Sequence, residues 1–315
     1  MSDDKVNWAA ILERELGNMT MEALPPTISL PALPHAVTEY LERSRDPDAS
    51  PKELAQILET DTGLATELLR YVNSSALGLR FKAKNVQQAI SLLGQRQCKT
   101  FVVTTGMQAA VQAKKSKLLN QLEFWNACLQ KAVFSREVAK LLNADPELAF
   151  AGGMISDYLL PVLTNDLFDD YVEFLEQRND MPASICEFEL NRFEWTHSYA
   201  GASLAHRWQL PEDLVCCILL HHRGLRLLSD PELNRTAATA VAISSLLPCQ
   251  MRQNLRGLEM LHMLDQKWPD FNLPQLIEHV DNAIAEMNLG VKNAFPLARR
   301  CKPILDLYAT APAAE

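Results

Sequence analysis

The strongest constraint on this chain is a spacing. Apolar residues recur every three or four positions, and no segment alternates apolar and polar residues at period two with β-branched side chains. Trp8, Ile11, Leu12 and Leu16 form one such set, which stops at Gly17. Leu54, Ile57 and Leu58 form another, and Leu64, Leu68, Leu69 and Val72 a third. A helix gathers these positions on one face, whereas a strand scatters them over both. Glycine is also scarce, 11 in 315 residues, so little of the chain is built for tight turns. The expected fold class is all-α. One segment, LPPTISLPALP at 24–34, cannot be helical, because its prolines lack donors and restrict their neighbours. It is expected to be an extended strap over a helical bundle.

Local signals punctuate the pattern. Ser50 followed by Pro51 and Glu53 is an N-cap, a first-turn proline and a capping box. Asn85 caps VQQAISLLG and Gly94 ends it, while NSSALG at 73–78 reads as a turn. A short helix is expected over 35–44 and an apolar one over 96–111. The most polar connection, AKKSKLLNQ at 113–121, separates two helical parts. In the second part, helices are expected over 123–142, 146–157, 166–178, 196–208, 211–222, 231–247, 252–264, 273–288 and 294–308. The last residues, ATAPAAE, are expected to fray.

The net charge of −9 and pI of about 5.4 argue against nucleic acid as the main partner, since phosphate binding needs a basic surface. Lys114, Lys115 and Lys117, and Arg299, Arg300 and Lys302, are short clusters that read as solvated helix ends. The 7 cysteines include no CxxC, and Cys216–Cys217 lie inside an apolar run, which fits reduced buried thiols. The acidic start MSDDKVNW lacks a signal-peptide pattern, and no apolar run is long enough to span a bilayer. A cytoplasmic protein without a membrane partner is expected.

No P-loop, GxGxxG, HExxH, GxSxG or EF-hand pattern occurs. The residues with chemical potential are Asp157, isolated in AFAGGMISDYLLPVL, and His197, His206, His221 and His222. A bundle interior that collects His and carboxylate groups from several helices is where helical metal sites form. Each histidine also has a bland explanation. A His at a helix C-terminus, such as those closing PEDLVCCILLHH, caps carbonyls and suits the dipole. His197 follows a candidate cap, Thr196, and His206 sits beside Arg207 and Trp208 in a packing or surface position.

Several motifs in order carry a resemblance. They are PALPHAV, DPDASPKELAQILETDTGLATELLRYVNSSALG, VQQAISLLG, EFWNACLQKAVFSREVA, AFAGGMISDYL and HSYAGASLAHRWQLPEDLVCCILLHH. Over about residues 30–222 the chain resembles the HDOD domain, a bacterial signalling relative of HD-type metal-dependent phosphohydrolases, with weaker likeness to about residue 247. The resemblance implies an HD-domain/phosphodiesterase-like helical bundle with an N-terminal helical subdomain. The divisions that follow are an N-terminal helix at 1–22, an HDOD domain at 23–247 and a C-terminal helical extension at 248–315. The HDOD domain divides into a subdomain at 23–120 and a degenerate HD-like bundle at 121–247.

The resemblance also implies what became of the enzymes' ligand ring. The first His falls on Ala127, the His–Asp pair on Ser156–Asp157, the following Lys on Leu160, and the closing Asp near Ser244–Ser245. His197, His221 and His222 match histidines of the wider family. Alanine has no donor atom, and serine is a poor ligand for a divalent ion. Asp157 is then a remnant, expected to hydrogen-bond His197 or His221. The implied role is a non-catalytic signal-transduction module, without cofactor, that binds a signalling protein or a small ligand. The alternatives are a surviving phosphohydrolase acting on a nucleotide or cyclic dinucleotide, with Asp157, His197, His221 and His222 converging on a metal, or a nucleotide sensor. Arg80, Lys82 and Lys84 in LRFKAK are the side chains that would meet phosphates in a sensor, and a solvated loop explains them equally.

Overall fold

The computed structural model describes residues 3, 6–17, 28–46, 48–73, 81–112, 115–177, 184–251, 253–254, 256–286 and 295–310. Among the described residues every regular element is a helix. The expectations for Arg80, for residues 24–27 of the strap, 74–78 of the turn, 113–114 of the polar connection and the tail at 311–315 lie outside the described residues.

The amino-terminal part holds α1 (Trp8–Leu16), α2 (His35–Arg43), α3 (Pro51–Leu58), α4 (Thr62–Val72), α5 (Val86–Leu93) and α6 (Gln95–Gln112). The caps form as their spacing predicts. The Ser50 hydroxyl accepts from Glu53 N–H at 3.2 Å, and the Glu53 carboxylate accepts from Ser50 N–H at 2.9 Å. Asn85 caps α5, which Gly94 ends at φ 79°, a value costly for any other residue. Residues 28–34 form no helix, in keeping with their prolines.

The second part begins with α7 (Gln121–Leu142), α8 (Pro146–Ile155), α9 (Leu160–Asp166) and α10 (Phe168–Gln177). It continues with α11 (Ile185–Phe193), α12 (His197–Arg207), α13 (Glu212–Leu220), a 3-10 segment at His221–Ser229 and α14 (Ala237–Ser244). The C-terminal helices are α15 (Gly257–Lys267), a 3-10 turn at Pro269–Phe271, α16 (Leu273–Glu286), α17 (Leu297–Arg300) and α18 (Lys302–Thr310).

Several boundaries differ from expectation for physical reasons. The helix expected over 146–157 ends at Ile155, and Asp157 stands in a turn. Pro161 lies in the first turn of α9, and its ring would clash with the Asp157 carbonyl if one helix ran through both. Neither α9 nor α11 was anticipated. α11 is set up by a capping box between Ser184 and Glu187. α13 stops at Leu220, so His221 and His222 open a 3-10 segment that kinks at Gly224. Thr236 delays α14 until Ala237, α15 begins only at Gly257, and the helix expected over 294–308 breaks at Cys301.

α7 runs through the centre, packed along its length by α8 and flanked by α14 and α16. α8 also meets α6, α13 and α14. Adjacent glycines make this possible. A Cβ on Gly153 would lie 2.9 Å from Ala132 Cα and from the Lys131 carbonyl, and one on Gly152 would lie 2.7 Å from Cys217 Cβ. The first contact sets α8 directly on α7, and the second sets it against α13. Lys131 and the turn after α8 are thereby brought face to face.

Candidate functional site

At that meeting point Asp157 is 3% exposed, and the strongest of its contacts is with a lysine. Lys131, 2% exposed on α7, places Nζ 2.5 Å from Asp157 Oδ2. The Gln253 carboxamide completes the pair: it donates from Nε2 to Asp157 Oδ1 at 2.8 Å and accepts from Lys131 Nζ at 3.2 Å. Only one orientation of that amide serves both partners, since the carboxylate needs an N–H and the ammonium needs an oxygen.

The histidines close in from the other side. His197 Nε2 and His221 Nε2 each lie 3.4 Å from Asp157 Oδ1, and His222 Nε2 lies 2.9 Å from His197 Nε2. Asp157, His197, His221 and His222 thus converge, with one ligand atom of each within 4.8 Å of the others. His222, half-buried, points into the cluster rather than to water or a separate helix. Behind His197, the buried Glu189 of α11 accepts from Nδ1 at 2.8 Å and from the His197 backbone N–H at 2.9 Å. Tyr171 donates its hydroxyl to the same carboxylate at 2.7 Å. Cys186, one turn before Glu189, brings a thiol near Glu189 and His197.

The electrostatics follow from this arrangement. Burial favours the protonated form of Asp157, but Lys131, with His197 and His221, holds its pKa well below the usual carboxylate range. Burial likewise opposes charge on Lys131, and Asp157 overrides it, so its pKa stands above the ordinary lysine value. His197 is buried between the Glu189 and Asp157 carboxylates, which outweigh desolvation and raise its pKa to about 9. Burial pushes His221 down, and His222 well down, with cationic neighbours adding to both shifts. His221 Nδ1 donates to the Ile218 carbonyl at 2.6 Å, which turns Nε2 toward Asp157 Oδ1. Two carboxylates (Asp157, Glu189) thus face one lysine (Lys131) and three imidazoles (His197, His221, His222).

One carboxylate oxygen and three imidazole nitrogens are donor types that suit a divalent transition ion. Glu189 holds the His197 ring by Nδ1 and leaves Nε2 turned toward Asp157, His221 and His222, while the Lys131 ammonium already pairs with Asp157.

The other positions singled out by the sequence are placed as follows. Ala127 and Leu160 line a cleft that opens onto Asp157 and Lys131. Ser156 is buried, its hydroxyl donating to the Gly153 carbonyl at 3.4 Å. Ser245 caps α14 and turns its hydroxyl to the Val241 carbonyl at 3.1 Å. Lys82 and Lys84 are exposed on a loop and do not line the cleft. His206 is exposed on the last turn of α12.

Lys131, Glu189 and Gln253 are the site residues that sequence reasoning missed. Lys131 had a signal: it falls on the stripe Phe124, Cys128, Lys131, Ser135, Val138, Leu142, which is otherwise free of charge and spaced for one buried helix face. Glu189 and Gln253 had none, because their partners are brought by other elements.

The fold and sequence have known relatives. An HDOD domain protein from Geobacter sulfurreducens superposes with a TM-score of 0.56 at 19% identity, covering 95% of each chain. A phosphohydrolase-like protein from Shewanella amazonensis superposes with a TM-score of 0.58 at 20% identity, covering 90% of this chain and 94% of the other. At such identities the likeness shows the fold. By sequence, an uncharacterized protein of Treponema pallidum is 23% identical over 69% of this chain and 42% of its own length. The cyclic di-GMP phosphodiesterase CdgJ of Vibrio cholerae is 28% identical over 45% of this chain and 32% of its own. The chain therefore spans less than half the length of either curated relative. The HDOD domain model itself matches residues 30–224, more than half the chain and the stretch that carries Lys131, Asp157 and all three clustered histidines. The chain belongs to the HDOD family.

Proposed function

We propose that this chain is a non-catalytic regulatory module of bacterial signal transduction that works by binding a protein or a small ligand. The observation that carries the reading is the Lys131–Asp157 ion pair, 2.5 Å long and buried on both sides. Hydrolysis by a metal-assisted site needs a Lewis acid or an activated water beside the substrate. Here a fixed ammonium holds the carboxylate that would anchor such an ion. Ala127 and Leu160 leave an apolar cleft where the resemblance would place a ligand and a lysine.

A second reading, a phosphohydrolase acting on a nucleotide or cyclic dinucleotide, draws on the convergence of Asp157, His197, His221 and His222. Metal analysis of protein purified without chelator separates the two, together with hydrolysis assays on cyclic dinucleotides. The regulatory reading expects sub-stoichiometric metal and no turnover. Stoichiometric Mn, Fe, Ni or Zn that is lost in Asp157→Ala, with turnover lost in parallel, would overturn it.

A further inference from the structure

Asp3 and residues 6–17 precede the stretch that the HDOD domain model matches, yet this N-terminal arm reaches four of the helices around the histidine cluster. At one end the buried Asp3 carboxylate accepts from the Asp145 N–H that opens α8, at 2.8 Å, and from the Ala237 N–H that opens α14, at 2.9 Å. N–H groups at helix starts have no acceptor within their own helix. In the middle, α1 lies on α13 and buries Trp8, Ile11 and Leu12, while Ala9, Ala10, Glu13 and Arg14 face outward. Cys216 of α13 is buried beneath it, with its thiol 3.9 Å from the Trp8 carbonyl. At the other end, Tyr199 of α12 donates its hydroxyl to the Glu15 carbonyl at 2.8 Å, and Arg223 donates to the Glu15 carboxylate at 2.5 Å. Tyr199 stands two residues after His197, and Arg223 directly follows His222. An isolated helix shorter than about 12–15 residues is marginal in water. α1 has 9, so it owes its helical form to the face it covers.

We infer that the face of α13 beneath α1 is a docking groove for an amphipathic helix of a partner protein, and that this chain's own N-terminal arm fills the groove until the partner displaces it. What departs sets the chemistry of what replaces it. The Asp145 and Ala237 N–H groups stand at the positive ends of two helices, and without Asp3 they need another carboxylate. That carboxylate must lie ahead of an apolar stripe spaced i, i+3, i+4, as Asp3 lies five residues ahead of Trp8 in the stripe Trp8, Ile11, Leu12. A partner helix that is already formed does not bear the ordering cost that α1 bears on docking, which favours the exchange. The exchange also removes the Glu15 contacts beside His197 and His222, so occupancy of the groove is passed to the cluster. This names the surface for the protein-binding reading above and rests on it. Its failure moves the partner to another face and leaves the non-catalytic reading, which metal content and turnover test, standing.

The test uses the full chain, with a fluorescein-labelled peptide of residues 1–17, MSDDKVNWAAILERELG, as the probe. The double variant Asp3→Ala, Trp8→Ala weakens the arm at two points. N-ethylmaleimide should then modify Cys216 about tenfold faster than in wild type, as located by peptide mass spectrometry. Cys217, buried against Gly152 of α8, should stay unreactive and so reports that the bundle is folded. The peptide should bind this variant saturably and protect Cys216. A peptide carrying Asp3→Ala should bind about tenfold more weakly, the worth of a charge-assisted hydrogen bond. The inference is overturned if Cys216 in the folded variant is as slow as Cys217, if the peptide does not bind, or if its Asp3→Ala form binds as tightly. Should the variant fail to fold, hydrogen exchange of the wild-type chain decides. The amides of α1 should exchange about a hundredfold faster than those of α7. Equal protection would mean that the arm leaves only when the whole chain unfolds, which overturns the inference. A wild-type chain that dimerises, and is dispersed by the peptide, would give the groove to the arm of a second copy and overturn the partner helix.

Discussion

Replacing Lys131 by methionine is expected to convert the cluster into a metal centre. Methionine keeps most of the stem's bulk and removes the charge. A divalent ion on Asp157 Oδ1 would stand roughly 5 Å from the Lys131 ammonium, given the 2.5 Å contact on the other carboxylate oxygen. At an effective dielectric constant of about 20, that repulsion is roughly 7 kcal/mol. Releasing the His197 proton at pH 7 costs about another 3 kcal/mol, given a pKa of about 9. The substitution removes only the first cost. If relaxation absorbs half of it, about 3 kcal/mol remains, or roughly two decades of affinity. The same change strands a buried carboxylate, so the metal-free variant should lose about 3–5 kcal/mol of stability. Part of that should return as metal is added. Titration of Zn, Ni or Mn into both proteins, followed by calorimetry and thermal melting with a chelator control, reads both effects. Equal metal affinity in wild type and Lys131→Met would refute electrostatic exclusion by the lysine.

Other outcomes follow from the same geometry. His197, raised to about 9 from an unfolded value near 6.5, adds stability that is full below about pH 6.5 and lost as pH rises through 9. Urea melts across that range should show a fall of about 3 kcal/mol that is absent in His197→Gln. Glu189→Gln removes the larger of the two attractions on His197, so NMR titration of its ring should find a lower pKa. Gly153→Ala forces a Cβ to within 2.9 Å of the α7 backbone at Ala132 Cα, and denaturant melts should show a loss of about 1–3 kcal/mol. Asp145→Ala removes the carboxylate that accepts from Glu147 and Leu148 N–H at the start of α8, and should cost about 1 kcal/mol by the same assay.

The legible parts of this chain were the local ones. The Ser50 capping box, the Asn85 cap and the stops at Gly17 and Gly94 each involve residues within four positions, and all are present. The all-α class followed from periodicity that any packed helix must show. α11 escaped notice because ICEFELNRF buries only Ile185 and Glu189 fully, and a glutamate on a buried face erases the stripe that marks a helix. Asp157 with its three histidines was legible through the motifs it sits in, since 40 to 65 residues of intervening chain give no hint of contact. The Lys131–Asp157–Gln253 triangle draws on positions 26 and 122 residues from Lys131. Its existence depends on how closely α8 can approach α7, which Gly153 decides.

A cation carried on the chain differs in kind from one taken from solution. The help a bound metal gives a fold grows with the logarithm of its free concentration and vanishes when the ion is scarce. The Lys131 ammonium is present once per polypeptide, arrives with synthesis and cannot be chelated or exchanged. Its effective concentration at Asp157 is set by the geometry of α7 rather than by the cell.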